Sequence, residues 1–162
     1  MLQPAFARCA ILSLGALLSM PAPAVPKAEV KGSLVLGGVD AHLSHVRAAR
    51  ASLGAKEGAG YEVVLSARPA EGALSSWKTA DPRERGNFLH LVFTAKGDIW
   101  VYEIGHTGAK NRPFGGVMEI QKVAFAVRGD QLTGQVRTQG EQSFSEDRFT
   151  VDLTFEAPIE AK

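Results

Sequence analysis

The amino-acid sequence predicts an all-β, mainly antiparallel fold: a β-sandwich or small flattened barrel of about seven to nine strands with one short helix. Three features of the sequence support this class. One segment near the C-terminus alternates apolar and polar residues, two pairs of apolar runs flank short glycine-containing links, and no long segment repeats with the period of a helix. Together these features favour strands joined by tight turns over a helical bundle.

The alternating segment gives the clearest strand in the sequence. Phe149, Val151, Leu153 and Phe155 occupy every second position, and polar residues occupy the positions between them. Because successive side chains of a strand point to opposite faces, this pattern buries one face and leaves the other in water. We expect the strand to end before Pro158, which cannot donate a backbone hydrogen bond.

Two hairpins are predicted before this strand. The apolar runs 88–94 and 99–105 surround one short link, and the runs 117–127 and 131–138 surround Arg128-Gly129-Asp130. Paired β-rich runs on either side of a short link that contains glycine are a usual signature of a hairpin. Because the first hairpin is apolar on both faces, we expect it to lie at the centre of the fold.

The first part of the domain is less uniform. Residues 30–36 alternate as a half-buried strand does, and Gly37-Gly38 predicts a turn after them. Residues 39–47 are then either the returning strand or, because the stretch 41–53 is rich in alanine and arginine, part of a helix. Residues 52–60 contain three glycines and are expected to form a loop.

The single helix is predicted between two strands in the middle of the chain. Residues 61–67 are rich in β-branched and aromatic side chains, and Pro69 is expected to end the strand that they form. Leu74 and Trp77 lie three positions apart, which places them on one side of a helix. We therefore expect one or two helical turns around this pair.

The first 24 residues have the pattern of a cleavable secretory signal peptide. Arg8 supplies a positive charge, residues 10–20 form a short uncharged run, and small residues at Ala22 and Ala24 fit a signal-peptidase site. The run is too short to span a bilayer comfortably. We expect cleavage after Ala24, which leaves a single β domain at 25–162 in the periplasm or outside the cell.

Charge and cysteine content exclude several classes of function. Without Arg8 the 18 basic residues fall to 17, which equals the 17 acidic residues, so no basic excess favours nucleic acid. Cys9 is the only cysteine and lies in the signal peptide, so we expect no disulfide and no cysteine metal site in the mature domain.

Membrane and cofactor binding are not predicted either. The expected strands, of about seven residues, are shorter than the 9–11 residues that a membrane-spanning strand needs, so the domain is not expected to be embedded in a membrane. The glycine pairs lack the lysine and the following helix of a phosphate-binding loop. We therefore expect no cofactor, and a protein or another envelope component as the partner.

Histidines are the candidate metal ligands. His42, His45, His90 and His106 are the four in the sequence, and His42 and His45 lie close together. A zinc or copper site needs three or four converging donors, so these residues could form one only if the fold brings them together. This leaves a histidine-based metal protein or enzyme as one alternative function.

Aromatic residues are the candidate binding residues. Trp100 and Tyr102 lie two positions apart, so they are expected to share one face of their strand, and Trp77 belongs to the predicted helix. Exposed aromatic pairs often mark a recognition surface. A barrel lined by aromatic side chains could instead carry a small apolar ligand, which is a second alternative.

No catalytic residues are predicted. None of the serines lies in a Gly-x-Ser-x-Gly turn, and the carboxylates near the last strand, Glu141, Glu146 and Asp147, are interpreted as a solvated rim. The sequence therefore favours an exported, non-enzymatic binding protein of the cell envelope, of the kind to which inhibitors and immunity proteins belong.

Overall fold

The computed structural model describes residues 27–56, 58–110 and 113–161. The predicted signal peptide, residues 1–24, lies outside these residues. The described chain is mostly β, with 58% strand and 8% helix, and one curled sheet forms a half-barrel with two short helices. The predicted β class is confirmed, and the half-barrel replaces the finer choice between a sandwich and a flattened barrel.

Strands follow one another along most of the described chain. They are β1 (Glu29–Leu36), β2 (Val39–Asp40), β3 (His45–Ser52), β4 (Ala59–Ser66), β5 (Phe88–Thr94), β6 (Ile99–Gly105), β7 (Phe114–Gly116), β8 (Ile120–Arg128), β9 (Gln131–Thr138), β10 (Gln142–Phe144) and β11 (Asp147–Glu160). A 3-10 helix (Leu74–Thr79) and α1 (Pro82–Arg85) lie between β4 and β5. No helix among the described residues has both the length and the apolar character needed to cross a membrane.

The last strand organises the sheet. β11 pairs with β1, β9 and β10 in antiparallel fashion, and its final residues pair in parallel with β3. From β3 the sheet continues through β4, β5 and β6 to β7, while β8 pairs with β9 on the other branch. One strand therefore joins both halves of the sheet, which makes the architecture a single curled sheet rather than two separate facing sheets.

The inside of the curl is the main hydrophobic core. Its members come from every long strand and include Phe93, Tyr102, Leu132, Phe149 and Phe155, each at most 1% exposed. A second, smaller cluster lies on the outer face of β4 and β5, beneath the chain segment that joins them. The half-barrel thus buries apolar side chains on both faces at β5, which lies between β4 and β6 as its sequence predicted.

Several local predictions need correction. Residues 41–53, where a helix was the alternative, contain β3, and β11 continues through Pro158 instead of ending before it. Pro158 is tolerated because it falls in a gap between two ladders: pairing with β1 stops at Glu156, and pairing with β3 starts only at Ile159. Neither β1 nor β3 therefore needs a backbone N–H from position 158. The described residues also form eleven strands and two short helices, more than predicted, because three two- or three-residue strands and α1 are too short to leave a periodic pattern.

Candidate binding groove

A segment that leaves the sheet builds the candidate site. Between β4 and β5, residues 67–87 cross the outer face of the sheet and contain both helices. Asp81 caps α1, since its side chain accepts a hydrogen bond from the backbone N–H of Arg83 (2.8 Å), and Pro82 occupies the first helical position. These local signals end the 3-10 helix and turn the chain back toward β5.

Trp77 fixes this segment to the sheet. Its side chain is 1% exposed and packs edge-to-face on Phe88 of β5, with 5.3 Å between ring centroids. Val64 of β4, Leu74 and two alanines, Ala70 and Ala80, complete the small outer cluster. Burying an indole against these side chains stabilises the fold by about 3 kcal/mol relative to alanine.

Arg47 of β3 links the beginning of the segment to β11. Its guanidinium donates to the carbonyl oxygens of Ala70 (2.8 Å) and Gly72 (2.9 Å). The same group makes a bidentate pair with Glu160 of β11, at 2.5 and 2.6 Å. A bidentate pair fixes the orientation of both side chains, so this wall of the site is rigid.

An open groove of about 610 Å³ lies within this segment, between residues 68–72 and the two short helices. Its volume falls in the range of about 300–1,000 Å³ that is usual for small-ligand sites. Trp77 contributes to its lining, together with two arginines, two glutamates, a proline and a glycine: Arg68, Arg85, Glu71, Glu84, Pro69 and Gly72.

Both arginines of the groove are held in place. The Arg85 guanidinium lies 5.2 Å from the centre of the Trp77 ring and donates to Ser76 Oγ at 3.0 Å. Arg68 donates a long hydrogen bond to the backbone oxygen of Glu84, at 3.4 Å. A guanidinium stacked on an aromatic ring still presents its remaining N–H groups, so Arg85 can receive a carboxylate or phosphate with little loss of side-chain entropy.

A buried histidine lies further along the same outer face. His90 of β5 is 2% exposed, and its two ring nitrogens contact Glu103 Oε2 on β6 (2.6 Å) and Glu62 Oε1 on β4 (2.7 Å). A neutral imidazole has only one N–H, so two such contacts need an imidazolium or a protonated carboxyl group. This Glu62–His90–Glu103 cluster therefore joins three neighbouring strands through shared protons.

The pKa of His90 reflects this geometry. Burial by itself lowers the pKa, but hydrogen bonds to Glu103 and Glu62, together with the negative charges of both carboxylates, outweigh burial and raise it above the ordinary 6.5. His90 is separated from Phe88 by one residue and shares its face of β5, so the cluster lies next to the packing that supports Trp77.

The other histidines do not join His90. His45, at the start of β3, lies in the cross-strand row of Ser66 and Phe88, two strand spacings or about 10 Å from Phe88, and His90 lies two residues further along β5. His42 lies in the loop before β3, and His106 directly follows β6 and accepts a hydrogen bond from Gly108. The described residues contain no group of three or more His, Cys, Asp or Glu side chains placed to hold a metal ion.

The predicted aromatic pair is separated. Tyr102 is fully buried and donates to Glu119 at 2.8 Å, whereas Trp100 is 44% exposed. The reason is a bulge: Val92 pairs with Val101 but Phe93 pairs with Ile99, so Trp100 is an extra residue that interrupts the alternation of β6. Trp77, the third predicted binding residue, lines the groove instead.

Sequence reasoning missed the arginines of the groove and the glutamates around His90. Glu62, His90 and Glu103 each interrupt an otherwise apolar strand, and such an interruption is a detectable signal. What was missing is the strand register that places them side by side. Arg68 and Arg85 gave no comparable signal, because charged residues in a polar connection are usually solvated.

Comparisons with known proteins give no relative. The chain significantly matches no protein-family model, no curated protein and no solved structure. The function of the chain is therefore inferred from the geometry of the groove.

Proposed function

We propose that this chain is an exported binding protein that holds a short segment of polypeptide in the groove at Trp77. The observation that carries this proposal is the preformed groove, with an indole in its lining, arginines and glutamates around it, and walls fixed to the sheet. A site that keeps its shape without ligand loses little entropy on binding.

The charged side chains of the lining favour a ligand that carries both a positive and a negative group. Arg68 and Arg85 match carboxylates, whereas Glu71 and Glu84 match ammonium or guanidinium groups. Pro69 adds exposed apolar contact area between these charges. A peptide segment carries both charges and an apolar side chain within a few residues, which a simple anion or an apolar ligand does not.

The two alternative functions receive less support. An apolar carrier needs an internal cavity, yet Phe93, Val151 and Phe155 on the inside of the curl are each at most 2% exposed and belong to one packed cluster. A histidine-based metal protein or enzyme needs converging histidines, and His45 and His90 lie on different rows of the sheet.

Export is the second part of the proposal and rests on the sequence. The leader pattern of residues 1–24, with cleavage after Ala24, leads to the periplasm or the cell exterior. If the full chain is expressed in a bacterium, we expect the exported fraction to contain a protein that begins at Val25. Mass spectrometry of that fraction checks the cleavage site, and retention of residues 1–24 would contradict it.

The groove is tested with a tripeptide, Lys-Leu-Glu, titrated into the isotope-labelled protein purified from the exported fraction. We expect amide shifts concentrated at residues 68–73 and at the indole N–H of Trp77. An Arg85→Gln variant should weaken binding by about tenfold, because a charge-assisted bond to carboxylate is lost.

The matched control for that variant is Arg83→Gln, which removes the same charge from α1 but from a side chain outside this groove. It should leave the affinity within about twofold. Equal weakening by both variants, or shifts that avoid residues 68–77, would reject the groove as the binding site.

A further inference from the structure

The Glu62–His90–Glu103 cluster lies directly beside the side chains on which the groove segment packs. His90 lies opposite Val64 of β4 and opposite Glu103 of β6. On β5 itself it lies two residues from Phe88, on the same face of the strand. Val64 and Phe88 are the two buried strand residues of the small outer cluster. The packing beneath the groove therefore borders the imidazole on two sides.

The ring of Phe88 connects the region of the cluster to the anchor of the segment. It lies against Gly105 of β6 so closely that a Cβ atom there would collide with it, and Gly105 is two residues from Glu103 on the same face. The same ring packs edge-to-face with Trp77, at 5.3 Å between centroids. Because closely packed side chains transmit strain, a displacement of β6 against β5 would move the ring that supports Trp77.

The second anchor of the segment lies in the same cross-strand row. Arg47 of β3 lies opposite Val64, which in turn lies opposite His90, so the backbones of Arg47 and His90 are two strand spacings or about 10 Å apart. The Arg47 guanidinium donates to two backbone oxygens at the beginning of the segment, at 2.8 and 2.9 Å. Both contacts that hold the segment on the sheet therefore involve neighbours of the cluster.

Two carboxylates meet His90 from the adjacent strands. Glu62 Oε1 lies 2.7 Å from one ring nitrogen and Glu103 Oε2 lies 2.6 Å from the other, while β7 contributes only a glycine opposite Glu103. The charged side chains of segment 67–87 that line the groove are Arg68, Glu71, Glu84 and Arg85. Within the described residues, neither these side chains nor Arg47 form an ion pair with either glutamate of the cluster. The imidazolium therefore supplies the positive charge on which the two carboxylates depend.

Rising pH removes this positive charge. Burial favours the neutral imidazole, but the hydrogen bonds and negative charges of the two glutamates outweigh burial and place the pKa of His90 above its ordinary value. Once the proton is lost, two neighbouring carboxylates are left without a cation in a region that water hardly reaches, which is costly. The cost is relieved when the strands shift enough to hydrate the carboxylates, and that shift disturbs the ring of Phe88.

We infer that the protonated Glu62–His90–Glu103 cluster keeps the groove in its binding shape, so that the groove holds peptide in mildly acidic surroundings and releases it in alkaline ones. This inference rests on the proposed function of the groove and adds the regulation of the same site. Proton binding and peptide binding favour one state of the protein. Because such coupling is reciprocal, each strengthens the other by the same factor.

The test is a titration of acetyl-Lys-Leu-Glu into the isotope-labelled protein purified from the exported fraction, repeated between about pH 6 and pH 9. Acetylation removes the α-amino group, so no group of the peptide titrates over most of this range. We expect the affinity to fall by about tenfold from the acidic to the alkaline end. The ring resonances of His90, followed in the same samples, should titrate over the pH range in which the affinity falls.

Reciprocity gives a second, independent measurement on the same protein. A tenfold change in affinity requires that saturating peptide raise the midpoint of the His90 ring titration by about one pH unit. The two values come from different signals, so their agreement separates coupling between the sites from two unrelated titrations.

Glu62→Gln removes one negative charge from the cluster and keeps the shape of the side chain. It should lower the midpoints of the ring titration and of the affinity together, by about one pH unit, because less negative charge stabilises the imidazolium. A merely structural role of Glu62 would not move these midpoints. Glu156→Gln, on β11 and outside both the cluster and the groove, is the matched control and should leave both midpoints unchanged.

The outcomes separate the switch from the groove itself. Failure of the wild-type protein to bind the peptide at pH 6 would reject the groove, and the switch with it. Binding at pH 6 that is equally strong at pH 9, a His90 ring that stays protonated up to pH 9, or a ring midpoint that saturating peptide does not raise would reject the switch alone. Loss of the dispersed amide spectrum at pH 9 would also reject the switch, since the affinity would then report unfolding of the whole chain.

Discussion

At the scale of single residues, His90 is the buried titratable group on which the pH dependence of stability is expected to rest. His90 is buried between two carboxylates from neighbouring strands, and each contact needs a proton on the ring or on its partner. Removing one member of such a cluster leaves the others buried without compensation, which costs more than the cluster itself contributes. The role of His90 is therefore visible as a dependence of stability on pH.

We expect the free energy of unfolding to fall as pH rises above 6.5. The folded-state pKa of His90 is raised, so its stabilising contribution is complete below its unfolded value and is lost as pH passes through the raised value. Urea unfolding between about pH 6 and pH 9 measures this slope.

The variant that tests this assignment is His90→Gln, which should remove the fall above neutral pH and cost about 3 kcal/mol near pH 6 by leaving two carboxylates without a cation. His45→Gln, at an exposed position at the start of β3, is the control and should leave the slope unchanged. A wild-type protein whose stability does not vary over this range would contradict the role given to the cluster.

At the scale of elements, the segment 67–87 is stabilised by tertiary contacts and not by its own helices. Both helices are far shorter than the roughly 12–15 residues that an isolated helix needs. Packing of Trp77 on Phe88 and the bonds from Arg47 to Ala70 and Gly72 hold the segment on the sheet. The groove therefore depends on these few contacts.

Trp77→Ala should destabilise the protein by about 3–5 kcal/mol, because it leaves a large cavity in the outer cluster. Trp100→Ala removes the same side chain from an exposed position and should cost less than about 1 kcal/mol. Thermal unfolding of both variants gives this comparison directly. Similar losses in the two variants would mean that Trp77 does not anchor the segment.

At the scale of the whole molecule, β11 is the strand on which the half-barrel depends. Its 14 residues connect β1, β3, β9 and β10, and its inward side chains Phe149, Val151, Leu153 and Phe155 lie in the core. Contacts between strands distant in sequence dominate such a fold. Any change that separates β1 from β11 should therefore unfold the protein as a whole.

Gly32 provides the sharpest test of that dependence. It has φ +104° and faces Asp152 of β11 so closely that a Cβ atom would lie 2.0 Å from the backbone oxygen. Gly32→Ala should cost about 3 kcal/mol or more, because both the backbone conformation and the pairing are lost. Gly37→Ala, at φ +57° in an open turn with no neighbouring atom within 4 Å, should cost only about 1 kcal/mol. Equal losses in denaturant unfolding would contradict this view of β1 and β11.

The sequence by itself determined the secondary structure wherever a local pattern was long enough to be unambiguous. The alternation of Phe149 to Phe155, the hairpin of β5 and β6, and the helical turns around Leu74 and Trp77 all follow from side-chain spacing, because period and turn chemistry act between near neighbours. Segments with mixed signals, such as 41–53, and strands of two or three residues could not be assigned in this way.

Only the tertiary structure decided which distant residues meet. Strand register places Glu62 and Glu103 on either side of His90, a one-residue bulge separates Trp100 from Tyr102, and the path of residues 67–87 brings Arg68 and Arg85 around Trp77. These relations depend on long-range pairing and on closure of the sheet around its core. Neither is encoded in the spacing of any single segment, since a shift of one residue would reverse the faces without changing the local pattern.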